Sequence, residues 1–267
     1  MAGNHARHRM AQRKPAARPG FTLIELLVVL AITSVLMAML ATALVKVRGA
    51  TRNFLCQNKL KTVAFEFQTY PDDTLRTERE SPYDQGRSSD FTIEDFQERV
   101  YGIDEYWPNA LRNLPEAAYQ APKQPLMCPA GPTELRRQAG LPCRDYAVGP
   151  PQNVSTAFNR RLYQVSVQQA GRWVLREVKL SPRVLERPWV PLVFDVDGRA
   201  AVARRALPYF SAPAAGDPGR YAGDRMWFPA LRHGGELNAA FVGGHVLSSR
   251  RPERESGWDW KYQPSTM

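Results

Sequence analysis

The sequence predicts an α+β chain in which a long N-terminal α-helix packs on a loop-rich C-terminal antiparallel β-sheet domain. Three observations carry this expectation. Leu26 to Val45 runs without a charge, glycine or proline. The pattern then turns amphipathic without a break as far as Tyr70. Beyond it, apolar runs alternate at strand spacing, and 22 prolines in 267 residues favour loops over further helix.

The apolar run is long enough, at about 1.5 Å per residue, to span the roughly 30 Å of a bilayer's hydrocarbon core. Residues 21–45 therefore read as a transmembrane helix. Glu25 falls just inside the span, and a carboxylate placed in lipid demands a partner. Val47, Phe54, Leu60, Val63, Ala64, Phe67 and Tyr70 recur at helical spacing, so residues 46–70 continue the helix with one apolar face. Pro71-Asp72-Asp73 is expected to stop it. One helix from Phe21 to Tyr70 would be about 75 Å long.

Residues 71–267 form the expected globular domain. Thr92 and Asp95 make a capping box for a short helix that ends near Gly102. Leu162–Gln168 and Arg172–Leu180 alternate on either side of a turn at Gly171. Trp189–Phe194 reads as a further strand, and Asp195-Val196-Asp197-Gly198 as a turn after it. Gly243-Gly244 suits a tight hairpin between Leu237–Val242 and His245–Ser249, with positive φ at both glycines. The aromatic tail Trp258-Asp259-Trp260-Lys261-Tyr262 is expected to dock on the domain.

Net charge is +10, but residues 1–20 hold Arg7, Arg9, Arg13, Lys14 and Arg18 and no acid. Losing that leader would remove half the charge, so nucleic acid is not expected as a partner. Cys128 and Cys143 lie among Pro and Gly residues and form a candidate disulfide if the domain leaves the cytoplasm; Cys56 would be left over. The alternative is three buried thiols. No zinc-type cysteine and histidine spacing occurs, and two histidines, His233 and His245, do not complete a metal site. Asp195 and Asp197 are calcium candidates, short of a full EF-hand loop, so no cofactor is expected. Nucleophile-elbow, zinc-protease, P-loop and dinucleotide motifs are missing, and the chain does not read as an enzyme.

An ordinary secretory signal would cut after Ala41-Thr42-Ala43, yet the apolar run is too long for one and Glu25 interrupts it. Gly20-Phe21-Thr22-Leu23-Ile24-Glu25 ahead of an apolar helix resembles instead the processing site of type IV prepilins and of type II secretion pseudopilins. That resemblance implies a cytoplasmic leader over residues 1–20, cut by a prepilin peptidase after Gly20. Phe21 then becomes the N-methylated terminus. Glu25 would pair with the terminal amine of a neighbouring subunit. The chain would be a single-pass protein of the inner membrane, in contact with lipid and other pilin-like subunits, with its globular domain exported.

Two more stretches resemble the pilin-like family named for a carboxy-terminal His-x9-Asp-Gly motif. Cys56, Asn58, Leu60 and Lys61 match its helix segment, with Lys59 where a second Asn is usual. Arg232, His233, Asn238, Phe241, Gly244 and His245 match its closing signature, with Gly243 in place of the Asp. Met127-Cys128-Pro129 and Asp145–Gly149 match in part, Val148 replacing an Asn. Two functions follow as expectations: a structural subunit of a type IV pilus or type II pseudopilus, or a membrane-tethered module binding cargo, carbohydrate or DNA.

Overall fold

The computed structural model describes residues 21–79, 90–102, 119–120, 126–132, 134–135, 154–203, 210–214 and 230–264, the side chains at 72–79 and at a few strand and helix positions excepted. Two compact units divide the chain, one up to Lys46 and one from Val47 to Met267.

Helix α1 covers Leu23–Arg79. Within the first unit its apolar side chains are exposed on every face: Leu26, Leu27, Val28, Val29 and Leu30 are successive residues and all open. A helix of this kind has no buried stripe and needs an apolar surrounding. It is the one helix among the described residues long and apolar enough to cross a membrane, with a mean hydropathy of 2.6 in its most apolar window.

In the second unit the same helix is one-sided. Cys56, Leu60, Val63, Ala64, Phe67 and Tyr70 are buried, at the i, i+3, i+4 spacing of a single face. Val47 and Phe54, expected on that face, are instead exposed, as is Phe65. Pro71 does not stop the helix but lies inside it. Proline costs a helix interior about 3 kcal/mol. Burying aromatic side chains on the same turn returns about 1.5–3 kcal/mol each, and Phe67 and Tyr70 are both in the core.

Helix α2, Ile93–Tyr101, forms as the sequence predicts. Thr92 Oγ1 accepts from the Asp95 amide at 2.9 Å, Asp95 Oδ2 accepts from the Thr92 amide at 3.0 Å, and Gly102 closes the helix at φ 62°. Its Phe96 meets Phe67 edge-on at 5.4 Å and Phe158 at 6.0 Å, joining both helices to the sheet.

Strands β1 (Tyr119–Gln120) and β2 (Glu134–Leu135) form a small pair. The main sheet holds β3 (Thr156–Asn159), β6 (Pro191–Asp195), β7 (Ser211–Ala212), β8 (Leu237–Phe241) and β9 (Val246–Ser249), in the order β7-β3-β6-β8-β9. The α+β layout is the expected one. The sheet is mixed rather than wholly antiparallel, because β3 and β7 run parallel. Strands β4 (Gln164–Gln169) and β5 (Arg172–Glu177) make the expected hairpin as a separate sheet, turning at Ala170 and Gly171 with φ 50° and 76°.

Pairing fixes the two faces of the main sheet. Asp195 lies opposite Thr156, and Asn238 opposite Ser248, on the face that receives α1. Phe194 and Phe241 point to the other face, where the tail docks as expected. Trp260 meets Phe194 edge-on at 5.1 Å and donates its indole N–H to the Pro252 carbonyl at 2.8 Å; Trp258 meets Phe241 at 4.9 Å. After β6 the chain does not turn at Asp197-Gly198. It enters helix α3, Gly198–Ala203, with Asp197 Oδ1 accepting from the Ala200 amide at 3.1 Å.

Phe67 and Phe65 sit on opposite sides of one helix and test this packing. Phe67→Ala is expected to destabilise the full chain by about 3–5 kcal/mol in chemical unfolding in detergent. Phe65→Ala is expected to stay within about 0.5 kcal/mol of the parent. Equal losses would mean that the buried face is misassigned.

Candidate functional site

The N-terminal start is built around Glu25. Its Oε2 accepts from the Thr22 amide at 2.8 Å and from Thr22 Oγ1 at 2.7 Å, while the Glu25 amide reaches Thr22 Oγ1 at 3.3 Å. This is a capping box of the type Thr-x-x-Glu, satisfying amides that helix geometry leaves open. Glu25 therefore has a local structural role beside the assembly role implied by resemblance. The pattern was legible in Thr22-Leu23-Ile24-Glu25, and reading the carboxylate only as a membrane charge missed it. Phe21 is exposed at the head of the helix; Gly20 lies outside the described residues.

The family-motif residues on α1 divide by face. Cys56 and Leu60 enter the core, whereas Asn58 and Lys61 stay exposed. Their neighbours tie the helix to the rest of the unit. Asn53 Oδ1 accepts from the Asn238 side chain at 2.8 Å, Gln57 donates to Ser248 Oγ at 3.0 Å, and Lys59 Nζ donates to the Met127 carbonyl at 3.2 Å.

The closing signature is a set of such ties. Arg232 donates to the Ser155 carbonyl at 3.2 Å and to the Val196 carbonyl, bracing two segments beside the sheet. Asn238 donates its amide to Asp195 Oδ2 at 3.1 Å. His233 and His245 do not share a site. The His245 ring stacks on Phe241 at 4.6 Å and meets Trp189 at 4.7 Å, and burial lowers its pKa. His233 Nε2 lies 3.3 Å from Asp195 Oδ2 and 3.3 Å from Cys128 Sγ.

Cys128 is a free thiol facing Cys56 and His233; Cys143, its candidate disulfide partner, and Asp145–Gly149 lie outside the described residues. The Cys56 thiol also reaches Asp195 Oδ1, at 3.5 Å. Asp195 and Asp197 do not converge as a calcium pair, since one faces sulfur and imidazole while the other caps α3. Hydrogen bonding with Cys56 holds the Cys128 thiol below its ordinary range, against the opposing effect of burial. Burial disfavours a charged His233, but its bonds to Asp195 and Cys128 outweigh that and lift it to about 9.

The missing signature Asp has a steric counterpart. Of the two hairpin glycines only Gly244 has positive φ, at 82°, which corrects the expectation for both. Gly243 is needed for a close approach. A Cβ there would lie 2.6 Å from Pro188 Cβ and 2.9 Å from its Cα and carbonyl oxygen, and the Gly243 amide donates to that carbonyl at 3.1 Å. Gly243→Ala and the motif-restoring Gly243→Asp are both expected to cost at least about 1–3 kcal/mol in chemical unfolding. Gly49→Ala, at an open helical position, should be neutral or gain up to about 1 kcal/mol. Unchanged stability in Gly243→Asp would refute the close approach.

No curated protein and no solved structure matches the chain. A family model does, the prokaryotic N-terminal methylation motif, over residues 16–41. It covers Arg18, Gly20, Phe21, the Thr22–Glu25 box and most of the apolar span. With that motif leading directly into the one membrane-length helix among the described residues, the chain has the N-terminal start of a prepilin-type, pilin-like precursor.

Proposed function

We propose that the protein is a pilin-like structural subunit of a type IV pilus or a type II secretion pseudopilus. A prepilin peptidase removes residues 1–20 by cutting after Gly20, Phe21 is N-methylated, and the part beyond the span is exported across the inner membrane. The observation that carries this reading is the methylation motif at residues 16–41 at the head of α1.

The chemistry of assembly fits the residues at hand. A terminal ammonium and a carboxylate placed together in an apolar medium cost less than either alone. Both Thr22 bonds fall on Glu25 Oε2, so Oε1 is the oxygen offered to a neighbour's amine. Phe54 and Phe65, exposed on α1 beyond the span, give other pilin-like subunits an apolar surface to cover. A tethered module acting alone has no such use for them. The role is structural rather than catalytic.

Intact mass and N-terminal sequencing of membrane-isolated protein, with and without active prepilin peptidase, test the processing step. A mature chain starting at methylated Phe21, lost in a bulkier Gly20 variant, is the expected result. A Met1 start despite active peptidase would leave only the tethered module, and a start at Thr42 or beyond would mean a secreted domain. Assembly is tested by separating charge from capping. Glu25→Gln can still occupy its place in the capping box and should be processed and inserted yet lost from filaments. Thr22→Ala keeps the charge and should still assemble. Normal assembly of Glu25→Gln would remove the charge-pairing mechanism.

A further inference from the structure

We propose that Cys56, Cys128, Asp195 and His233 form a closed, four-ligand structural zinc site that fastens α1 to the sheet. The four residues come from α1, the loop around Met127, the end of β6 and the turn before β8. Nothing in their order along the chain brings them together, yet one ligand atom from each falls within 4.8 Å of the others, and all four residues are buried.

The distances suit a common central ion better than a set of paired hydrogen bonds. His233 Nε2 is 3.3 Å from both Cys128 Sγ and Asp195 Oδ2, so a sulfur and a carboxylate oxygen converge on one ring nitrogen. Cys56 Sγ stands 3.5 Å from Asp195 Oδ1. Zinc bonds of about 2.3 Å to sulfur and 2.0–2.2 Å to nitrogen or oxygen give a tetrahedron with edges of roughly 3.3–3.8 Å. Three of the separations, at 3.3, 3.3 and 3.5 Å, fall within that range, and the four ligand atoms together stay within 4.8 Å.

Donor chemistry selects the metal. Two sulfurs disfavour calcium and magnesium, which take oxygen ligands. Two thiols, an imidazole and a carboxylate at tetrahedral spacing fit zinc, and four protein ligands leave no place for substrate, so the site is structural. The surroundings are braced as outer-shell partners of a metal site are. The Asn238 amide holds Asp195 Oδ2 at 3.1 Å, and Ser155 Oγ accepts from the Cys128 amide at 2.9 Å. Two thiolates and a carboxylate around a divalent ion leave one negative charge, and Arg232 and Lys59 both lie close enough to interact with the cysteine sulfurs.

The competing chemistry is a Cys56–Cys128 disulfide, which would consume two of the ligands. Full-length protein extracted in detergent and kept reduced distinguishes the two. Elemental mass spectrometry should find about one zinc per chain, falling to near none in Cys128→Ser and unchanged in Cys143→Ser. Cobalt(II) added to chelator-treated wild type should give sulfur-to-cobalt charge-transfer absorption, a readout that needs no variant to fold. Chelation should lower the melting temperature of the wild type, as expected where metal binding is linked to folding. Absence of both zinc and the cobalt band in reduced wild-type protein would overturn the proposal. So would a Cys56–Cys128 linked peptide in protein isolated without reductant and free of zinc.

Discussion

A fully buried carboxylate sets the terms for the second unit. Asp195 ends a central strand with no exposure to solvent, and a charge taken out of water is tolerated only with close compensation. That compensation comes from α1 through Cys56, from β8 through the Asn238 amide and from the preceding turn through His233. Apolar contacts between helix and sheet can slide by a fraction of a turn at modest cost. A buried carboxylate with directional partners on three elements cannot. The polar cluster therefore fixes the register of α1 on the sheet, and the aromatic contacts of Phe67, Phe96 and Phe158 fill the space around that fixed point.

One helix meets two unlike demands. Up to Lys46 it exposes apolar side chains on all faces, which suits lipid or other apolar helices. From Asn53 to Tyr70 it buries one stripe, beginning at Cys56, and hydrogen-bonds along its flanks through Asn53, Gln57, Lys59 and Gln68. Its start adds a third demand. Thr22 and Glu25 cap the first turn with the same carboxylate that the proposed assembly step uses. Residue 25 is thereby constrained more tightly than either role alone would require.

Local features were the most legible. The span, the Thr92–Asp95 capping box with Gly102, and the hairpin through Gly171 each depend on residues a few positions apart, and periodicity or turn chemistry reveals them. Features set by tertiary packing were not legible. Pro71 reads as a stop, yet its flanking aromatics are buried and the helix passes through it. Asp197-Gly198 reads as a turn, but the Asp197 side chain is used to start α3. Gly243 looks like a decayed motif position until Pro188 is seen against it. The cluster at Asp195 was the least legible part, because its members are scattered over most of the chain and spacing rules report only ligands close in sequence.

That scatter also shapes how the chain must be made. Cys56 belongs to the first quarter to be synthesised, whereas its buried partner Asp195 follows 139 residues later and the Asn238 and His233 contacts later still. Until β6 and β8 have been synthesised and paired, the apolar stripe from Leu60 to Tyr70 has no sheet to lie on. Such non-local closure is slow, and an uncovered stripe invites wrong association meanwhile. Protein quality control at the membrane thus has a long interval in which to meet this helix, and a chain cut short before β8 would never leave that state.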